Sequence, residues 1–200
     1  MAWNTEETQA RLKAAAVQEF AAHGLAGTRV ERIAERAGVN KERLYKYFGS
    51  KEDLYATVLS EELARIAAAV PVLGPPPDDI GEYAGRCFDY HCDHPELVRL
   101  LHWESLELAP DHQAPDEAAR TKEYREKVAA LKAAQANGQL VDDVEPHDLL
   151  FMIIAMAAWW VVAPRLARMI TGKADTARGE LRRRRASVVA AAGHLAAPNA

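Results

Sequence analysis

The 200-residue sequence lacks the features that several protein classes require. It has two cysteines, Cys87 and Cys92, and their spacing on a predicted helix points them in different directions, so we expect no disulfide. Its longest apolar run, residues 149–163, is 15 residues long and falls short of the roughly 20 that cross a bilayer. The first ten residues, MAWNTEETQA, contain no apolar run typical of a secretion signal. These absences predict a cytoplasmic protein with free thiols and no membrane partner.

Motifs for catalysis and metal binding are also missing. The chain has no glycine-rich phosphate loop, no GxSxG and no HExxH, so we predict neither an enzyme nor a cofactor. Cys87, His91, Cys92 and His94 are ligand-type residues, but helical spacing spreads them over separate faces and no CxxC completes a set. We therefore predict no metal site. The net charge of −4 argues against a protein that coats DNA by charge alone.

The apolar residues recur at intervals of three and four, which predicts an all-α fold of about nine helices. Gly74 and three successive prolines interrupt the pattern within residues 73–79. We place one helical domain at residues 1–50 and a second at residues 51–200, with residues 51–70 as the connecting helix. Asp79 is expected to cap the fifth helix, and Pro164 is expected to kink the eighth or end it early.

Residues 28–55, TRVERIAERAGVNKERLYKYFGSKEDLY, form the most informative segment. Thr28 with Glu31 has the spacing of a capping box, and Gly38 follows the last apolar residue of the helix that this box would begin. Asn40 can cap the next helix, and residues 50–53 form a second capping box that begins another. Two short helices joined by a glycine turn predict a helix-turn-helix, which places one helix in a DNA groove.

This segment resembles the DNA-binding region of the tetracycline-repressor-like (TetR) family of bacterial regulators. The resemblance covers roughly residues 8–60 and implies a recognition helix over residues 40–47. It also implies a preceding helix over about residues 12–23, with Ala14, Val17 and Phe20 in its core, and a phosphate contact from Lys51. The expected DNA-binding residues are Thr28, Asn40, Lys41, Arg43, Tyr45, Lys46, Tyr47 and Lys51.

The surface of the predicted recognition helix is basic and aromatic. Arg43 and Lys46 suit the acceptors of guanine, while the tyrosines and Lys51 suit phosphates. Residues 1–51 contain nine Lys or Arg against six Asp or Glu, which makes this end of the chain the candidate for nucleic acid. Glu42 departs from the small residue usual in the family. It either accepts a hydrogen bond from cytosine or pairs with Lys46 one turn away, and we favour the intrahelical pair.

A polar and aromatic group on helices five to eight is the candidate effector site, since the resembled family encloses a small-molecule effector in this region. Its expected members are Tyr83, Cys87, His91, Trp103, Glu107, Tyr124, Met152, Met156 and Trp159. Glu104, Glu107 and Asp111 would favour a cationic effector if they point inward. The competing interpretation is a filled core, which Met and Trp at helical spacing commonly form.

The resemblance implies a DNA-binding transcriptional regulator, expected to be a repressor, that binds a pseudo-palindromic double-stranded operator. It also implies a homodimer through the last two helices. Arg182 to Arg185 form a collar that contacts DNA, solvent or the dimer edge. Two alternatives remain, a small-molecule-binding helical protein with a vestigial DNA-binding domain and an architectural DNA binder, although the latter requires a strongly basic chain.

Overall fold

The computed structural model describes residues 5–71, 80–108, 114–173 and 178–198, and every regular element in these ranges is a helix. The all-α prediction is thus confirmed. The helices are α1 (Thr5–Gly27), α2 (Val30–Ala37), α3 (Lys41–Phe48), α4 (Lys51–Ala69), α5 (Ile80–Asp93), α6 (Pro95–Glu107), α7 (Glu117–Ala136), α8 (Pro146–Val162), α9 (Pro164–Thr171) and α10 (Arg178–Ala196). The predicted linker at residues 73–79, with its cap Asp79, lies outside the described residues.

Pro164 explains why the described residues form ten helices where about nine were predicted. Proline lacks the N–H that a helix interior needs, and its ring clashes with the preceding turn. The predicted eighth helix therefore ends at Val162, and α9 begins at Pro164 with its axis bent by 86° from that of α8. The expected kink is confirmed. Among the described residues, no single helix is long and apolar enough to cross a bilayer, and only the bent pair of α8 and α9 together passes that test.

The helix-turn-helix forms largely for the local reasons that its sequence suggests. Val30, Ile33, Ala34 and Ala37 make the buried stripe of α2, which ends where Gly38 adopts φ 63°, a left-handed conformation that glycine tolerates best. The Val39 N–H then bonds to the Ala34 carbonyl at 2.9 Å, which closes the helix. Asn40 Oδ1 accepts the Glu42 N–H at 3.1 Å, so the predicted cap of α3 is confirmed.

Two predicted details of this region are wrong. Thr28 does not cap α2, because Arg29 occupies the cap position and makes no side-chain cap bond. In α1, Phe20 is fully buried as expected, but Ala14 is exposed and Val17 is half-buried. The buried face is set by Leu12, and residue 14 lies about 200° around the helix from it.

The chain divides into two compact units. The first comprises the described parts of Met1–Arg65 and Glu96–Glu117, and therefore contains α6 beside the helix-turn-helix. Within it, the Tyr55 hydroxyl donates to the Leu100 carbonyl at 3.1 Å, and Arg99 Nε donates to the Ala21 carbonyl at 2.6 Å. The domain boundary predicted at residue 50 remains a prediction.

The second unit comprises the described parts of Ile66–Pro95 and Ala118–Ala200. Its core lies between α5, α8 and α10, where Phe88, Ile153 and Val188 are buried. Arg185 fastens α10 to α5, since its Nε lies 2.6 Å from Asp89 Oδ2 and its NH2 2.9 Å from Glu82 Oε2. These bonds raise the pKa of Arg185, and the bond from Arg185 lowers the pKa of Glu82. Arg183 and Arg184 likewise pair with Glu180, so three members of the predicted arginine collar are bound inside their own unit.

Candidate functional site

The recognition helix α3 presents a polar outer face because one residue fixes its inner face. Leu44 is fully buried, and at about 100° per residue Glu42 and Lys46 fall on the opposite side, each about 160° from it. Lys41, Arg43 and Tyr45 are exposed beside them, and Tyr47 is half-buried. Tyr45 keeps 48% of its surface exposed, which is high for an aromatic residue. This face has the charge and aromatic content that DNA contact requires.

The charge pairs on this face differ from those predicted. Lys41 Nζ lies 3.3 Å from Glu31 Oε1, and the pKa of Glu31 is lowered first by its backbone hydrogen bond and then by Lys41. The predicted ion pair between Glu42 and Lys46 does not form. Instead, a Glu42 carboxylate oxygen lies 3.5 Å from Asn40 Nδ2. Arg43 and Lys46 make no ion pair within the part of the chain that the structure describes, so their cations are available to a ligand.

Thr28 lies at the turn between α1 and α2, and the side chain of Lys51, the first residue of α4, reaches the same turn. The Thr28 hydroxyl is buried and donates to the carbonyls of Gly24 at 2.6 Å and Glu19 at 3.1 Å. Lys51 Nζ donates to the carbonyls of Leu25 at 2.7 Å and Thr28 at 3.3 Å. In this structure both side chains therefore satisfy carbonyls at the end of α1. Their predicted contacts with DNA remain predictions.

A buried carboxylate in the first unit was missed by sequence reasoning. Glu19 is 3% exposed, and its oxygens lie 2.9 Å from Arg32 Nε and 2.9 Å from an Arg36 NH2 nitrogen. These ion pairs join α1 to α2 and so fix the support on which α3 is mounted. No pattern in the sequence identifies them, because the partners lie 13 and 17 positions apart on different helices.

Three residues of the predicted effector group lie together on α5. Tyr83, Cys87 and His91 are successive turns apart on one face, and all three are buried. Burial raises the pKa of the Tyr83 hydroxyl and of the Cys87 thiol. Burial likewise lowers the pKa of His91 to about 4, against a smaller opposing effect from its hydrogen bond to the Ala157 backbone. These side chains are neutral near pH 7, a state that suits an uncharged or weakly polar ligand.

The other members of this group lie elsewhere. Trp103 and Glu107 belong to the first unit, where Trp103 Nε1 donates to the Ala21 carbonyl at 3.3 Å. The Glu107 carboxylate accepts the N–H groups of Leu25 at 2.7 Å and Ala26 at 3.2 Å. A cationic effector held by Glu107 would share the carboxylate with these two N–H donors. Asp111 lies outside the described residues. Sequence spacing showed the shared face of these two residues but not the partner that the face contacts.

The remaining candidates lie on α7 and α8. Tyr124 is 42% exposed and is close enough to Tyr83 to contribute to its raised pKa. Met152 and Trp159 are exposed, while Met156 packs against the core. Met156 and Trp159 also line a cavity of about 290 Å³ at the bend between α8 and α9, whose lining is almost entirely apolar. Among the described residues, no group of three or more His, Cys, Asp or Glu side chains is placed to hold a metal ion.

Comparison with protein-family models matches both parts of the chain. Residues 12–58 match the family described as bacterial regulatory proteins, tetR family, and residues 79–193 match the tetracyclin repressor-like C-terminal domain. The chain belongs to the TetR family. It is a DNA-binding transcriptional regulator, and the first match contains the whole of α2 and α3.

Characterised relatives agree with this assignment over most of their length. The chain is 45% identical over 177 residues to the HTH-type transcriptional repressor SCO4008 of Streptomyces coelicolor, covering 88% of this chain and 90% of that protein. It is 32% identical over 171 residues to the HTH-type transcriptional repressor NicS of Pseudomonas putida, covering 80% and 78%. The crystal structure of the S. coelicolor transcriptional regulator SCO4942 superposes with a TM-score of 0.81 at 37% identity, over 96% of this chain and 99% of that one.

Proposed function

We propose that this protein is a cytoplasmic repressor that binds a pseudo-palindromic operator as a homodimer and loses affinity for it when a small molecule binds the second unit. The observation that carries the DNA-binding part is the outer face of α3. Arg43 and Lys46 are exposed there without ion pairs to described residues, on a helix capped by Asn40 and supported by the Glu19 ion pairs. Repression is supported by the similarity to SCO4008 and NicS, which are both transcriptional repressors.

Arg43 is the side chain best suited to read a base within this proposal. Its guanidinium matches the two acceptors of guanine, and a good bidentate contact discriminates against a wrong base by about 1–3 kcal/mol. A second recognition helix, related by the two-fold axis of a dimer, would lie one DNA turn away, roughly 34 Å. The operator is then expected to contain two related half-sites with that spacing.

Replacing Arg43 with alanine tests this role. We expect Arg43→Ala to weaken binding to a cognate operator by about 5- to 150-fold, because the base contact is lost together with one charge. Binding to random DNA should weaken far less, since it depends only on the charge. Fluorescence anisotropy at one salt concentration measures both affinities.

Arg125→Ala is the matched control, since Arg125 is exposed on α7 in the second unit and its loss changes the net charge equally. This control should leave operator affinity nearly unchanged. Equal losses on operator and random DNA for Arg43→Ala would show that Arg43 contacts only phosphate.

The proposed dimer is supported by large apolar side chains that are exposed to solvent on the second unit. The exposed group on α8 and α9 comprises Phe151, Met152, Trp159, Leu166, Met169 and Ile170. Three of these, Phe151, Met169 and Ile170, keep more than 70% of their surface exposed. A group of exposed apolar side chains of this size is typical of an interface. The expected dimer also uses the last helix, α10, but Val188 and Ala192 of that helix are already buried inside the unit.

The proposed effector site is the buried face of α5 with Tyr83, Cys87 and His91. Their hydroxyl, thiol and imidazole offer a few polar atoms among apolar walls, which is the usual composition of a small-molecule site. Helix α4 begins in the first unit and ends in the second, so it is the proposed connection between effector and DNA. An effector lowers operator affinity by the ratio of its affinities for the two states of the protein. A compound that raises the melting temperature and also releases the operator is the expected sign of such a site.

A further inference from the structure

The position of Glu42 on α3 points to a role beyond that of an ordinary surface charge. With Lys46 it occupies the centre of the outer face, opposite the fully buried Leu44. It also lies in the first turn of the helix, and the N-terminal residues of a recognition helix are those that approach base edges. A carboxylate there faces the phosphates of any DNA that α3 enters, which costs affinity unless the carboxylate gains a partner.

No cation within the described chain neutralises that carboxylate. Lys46, one helical turn away, forms no ion pair with it, and Lys41 is bound instead to Glu31 at 3.3 Å. The neighbour that Glu42 does have is Asn40, which accepts the Glu42 N–H at 3.1 Å and lies 3.5 Å from a carboxylate oxygen through Nδ2. Asn40 therefore contacts both the backbone and the side chain of Glu42 at the start of the helix. The Glu42 carboxylate keeps free lone pairs that can accept further hydrogen bonds.

We propose that Glu42 determines operator specificity by accepting a hydrogen bond from the N4 amino group of a cytosine in the major groove. An ionised carboxylate is an acceptor only, so it matches a base edge that presents a donor. Guanine presents two acceptors and thymine one acceptor and a methyl group, so both disfavour it. Adenine presents its amino donor beside the N7 acceptor, which repels the second carboxylate oxygen, whereas cytosine presents the donor alone.

The competing role for Glu42 is purely structural. An acidic residue in the first turn stabilises a helix through its interaction with the N-terminal end of the helix dipole. That role predicts a change in the stability of α3 and the same fractional change in affinity for every sequence. Reading of cytosine predicts a change at one base position per half-site, which separates the two roles.

The experiment compares base preference at every operator position for wild type, Glu42→Ala and Glu42→Gln, all as full-length protein. Each half-site position is replaced in turn by the other three bases, and the affinity of each duplex is measured. Wild type should favour cytosine at one position, and Glu42→Ala should bind all four bases there within about twofold of each other. Glu42→Ala should also bind random DNA more tightly, because the variant lacks the carboxylate that the DNA phosphates repel. Glu42→Gln should shift the preference to adenine, whose donor and acceptor match an amide.

Glu52→Gln is the matched control, because Glu52 is an exposed acid in the first turn of α4, outside the recognition helix. It should leave every base preference unchanged. The proposal is overturned if Glu42→Ala keeps the wild-type preference at all positions, whether or not its overall affinity changes. Circular dichroism melting of each variant shows whether it is folded. The proposal rests on the regulator function, and absence of any base preference in wild type would count against that function as well.

Discussion

His91 is a buried residue whose charge state in mildly acidic solution changes on folding. It is 4% exposed, and burial lowers its pKa from 6.5 to about 4. The folded protein therefore keeps His91 neutral at pH values where the unfolded chain has already taken up a proton. Because the unfolded state binds more protons between these two values, stability falls as pH drops from about 6.5 to about 4.

Replacing His91 should remove this pH dependence. Because the folded protein keeps the imidazole neutral, the free energy of unfolding at pH 4 is lower by about 3 kcal/mol than it would be without this pKa shift. Wild type should lose that much more stability than His91→Gln between pH 7 and pH 4, measured by urea unfolding at several pH values. His194→Gln is the control, since His194 is exposed on α10. Parallel stability curves for wild type and His91→Gln would contradict the assigned burial.

Helices α5 and α10 pack closely enough that one glycine between them is required. A Cβ placed on Gly85 would lie 2.8 Å from Val189 Cγ2 and 3.0 Å from the Arg185 guanidinium. Neither neighbour moves freely, because valine is restricted at χ1 and Arg185 is bound to Glu82 and Asp89. The ion pairs of Arg185 with Glu82 and Asp89 thus depend on the absence of a side chain at residue 85.

Gly85→Ala should therefore lower the unfolding free energy by about 1–3 kcal/mol, the usual cost of overpacking a core. We expect Gly193→Ala, by contrast, to raise the unfolding free energy. Gly193 lies within α10, and a Cβ placed on it would meet nothing within 4 Å, so alanine there should stabilise the helix by about 0.5–1 kcal/mol. Chemical unfolding of both variants measures the two effects. A Gly85→Ala protein as stable as wild type would show that α5 and α10 are less closely packed.

At the scale of helices, the sequence predicts what neighbouring residues decide and misses what distant residues decide. The cap at Asn40, the end at Gly38 and the break at Pro164 depend on residues within one turn, and all are confirmed. Thr28 has the local spacing of a cap, yet its hydroxyl donates back to the Gly24 and Glu19 carbonyls of α1, and the cap position falls on Arg29. A threonine hydroxyl can bond to several nearby backbone groups, and spacing alone does not tell which of them it takes.

The same reasoning explains the outcome at the candidate sites. The outer face of α3 follows from helical periodicity once Leu44 is known to point inward. The Glu42 pair with Lys46 has correct spacing but does not form, and the Glu42 carboxylate lies 3.5 Å from Asn40 Nδ2 instead. Trp103 and Glu107 share a face as predicted, and only the fold shows that this face contacts α1.

For the whole molecule, charge and apolar surface are divided in a way that fits a dimeric regulator. Residues 1–51 carry nine basic against six acidic residues in a chain whose net charge is −4. The second unit carries a group of exposed apolar side chains on α8 and α9. One part of the molecule therefore suits DNA and another suits a second copy of the chain.

A charge placed within the apolar surface tests the dimer. Phe151 is 73% exposed on α8, and Phe151→Lys should shift the protein to monomers at micromolar concentration, because each protomer would then bury an unpaired charge in the proposed apolar interface. Leu106→Lys is the control, since Leu106 is also 73% exposed but lies on α6 in the first unit. Sedimentation velocity distinguishes the two states. A monomeric wild type, or a dimer that survives Phe151→Lys, would contradict this interface.

The most direct test of the central claim is capture of fragments of the source genome by purified protein at about physiological salt, where binding by charge alone is weak. The parallel sample is the Arg43→Ala, Lys46→Ala double variant. We predict that wild type enriches a few sites with two related half-sites and that the double variant enriches none of them. Diffuse enrichment by wild type, or the same sites recovered by the double variant, would contradict the claim that α3 reads the operator.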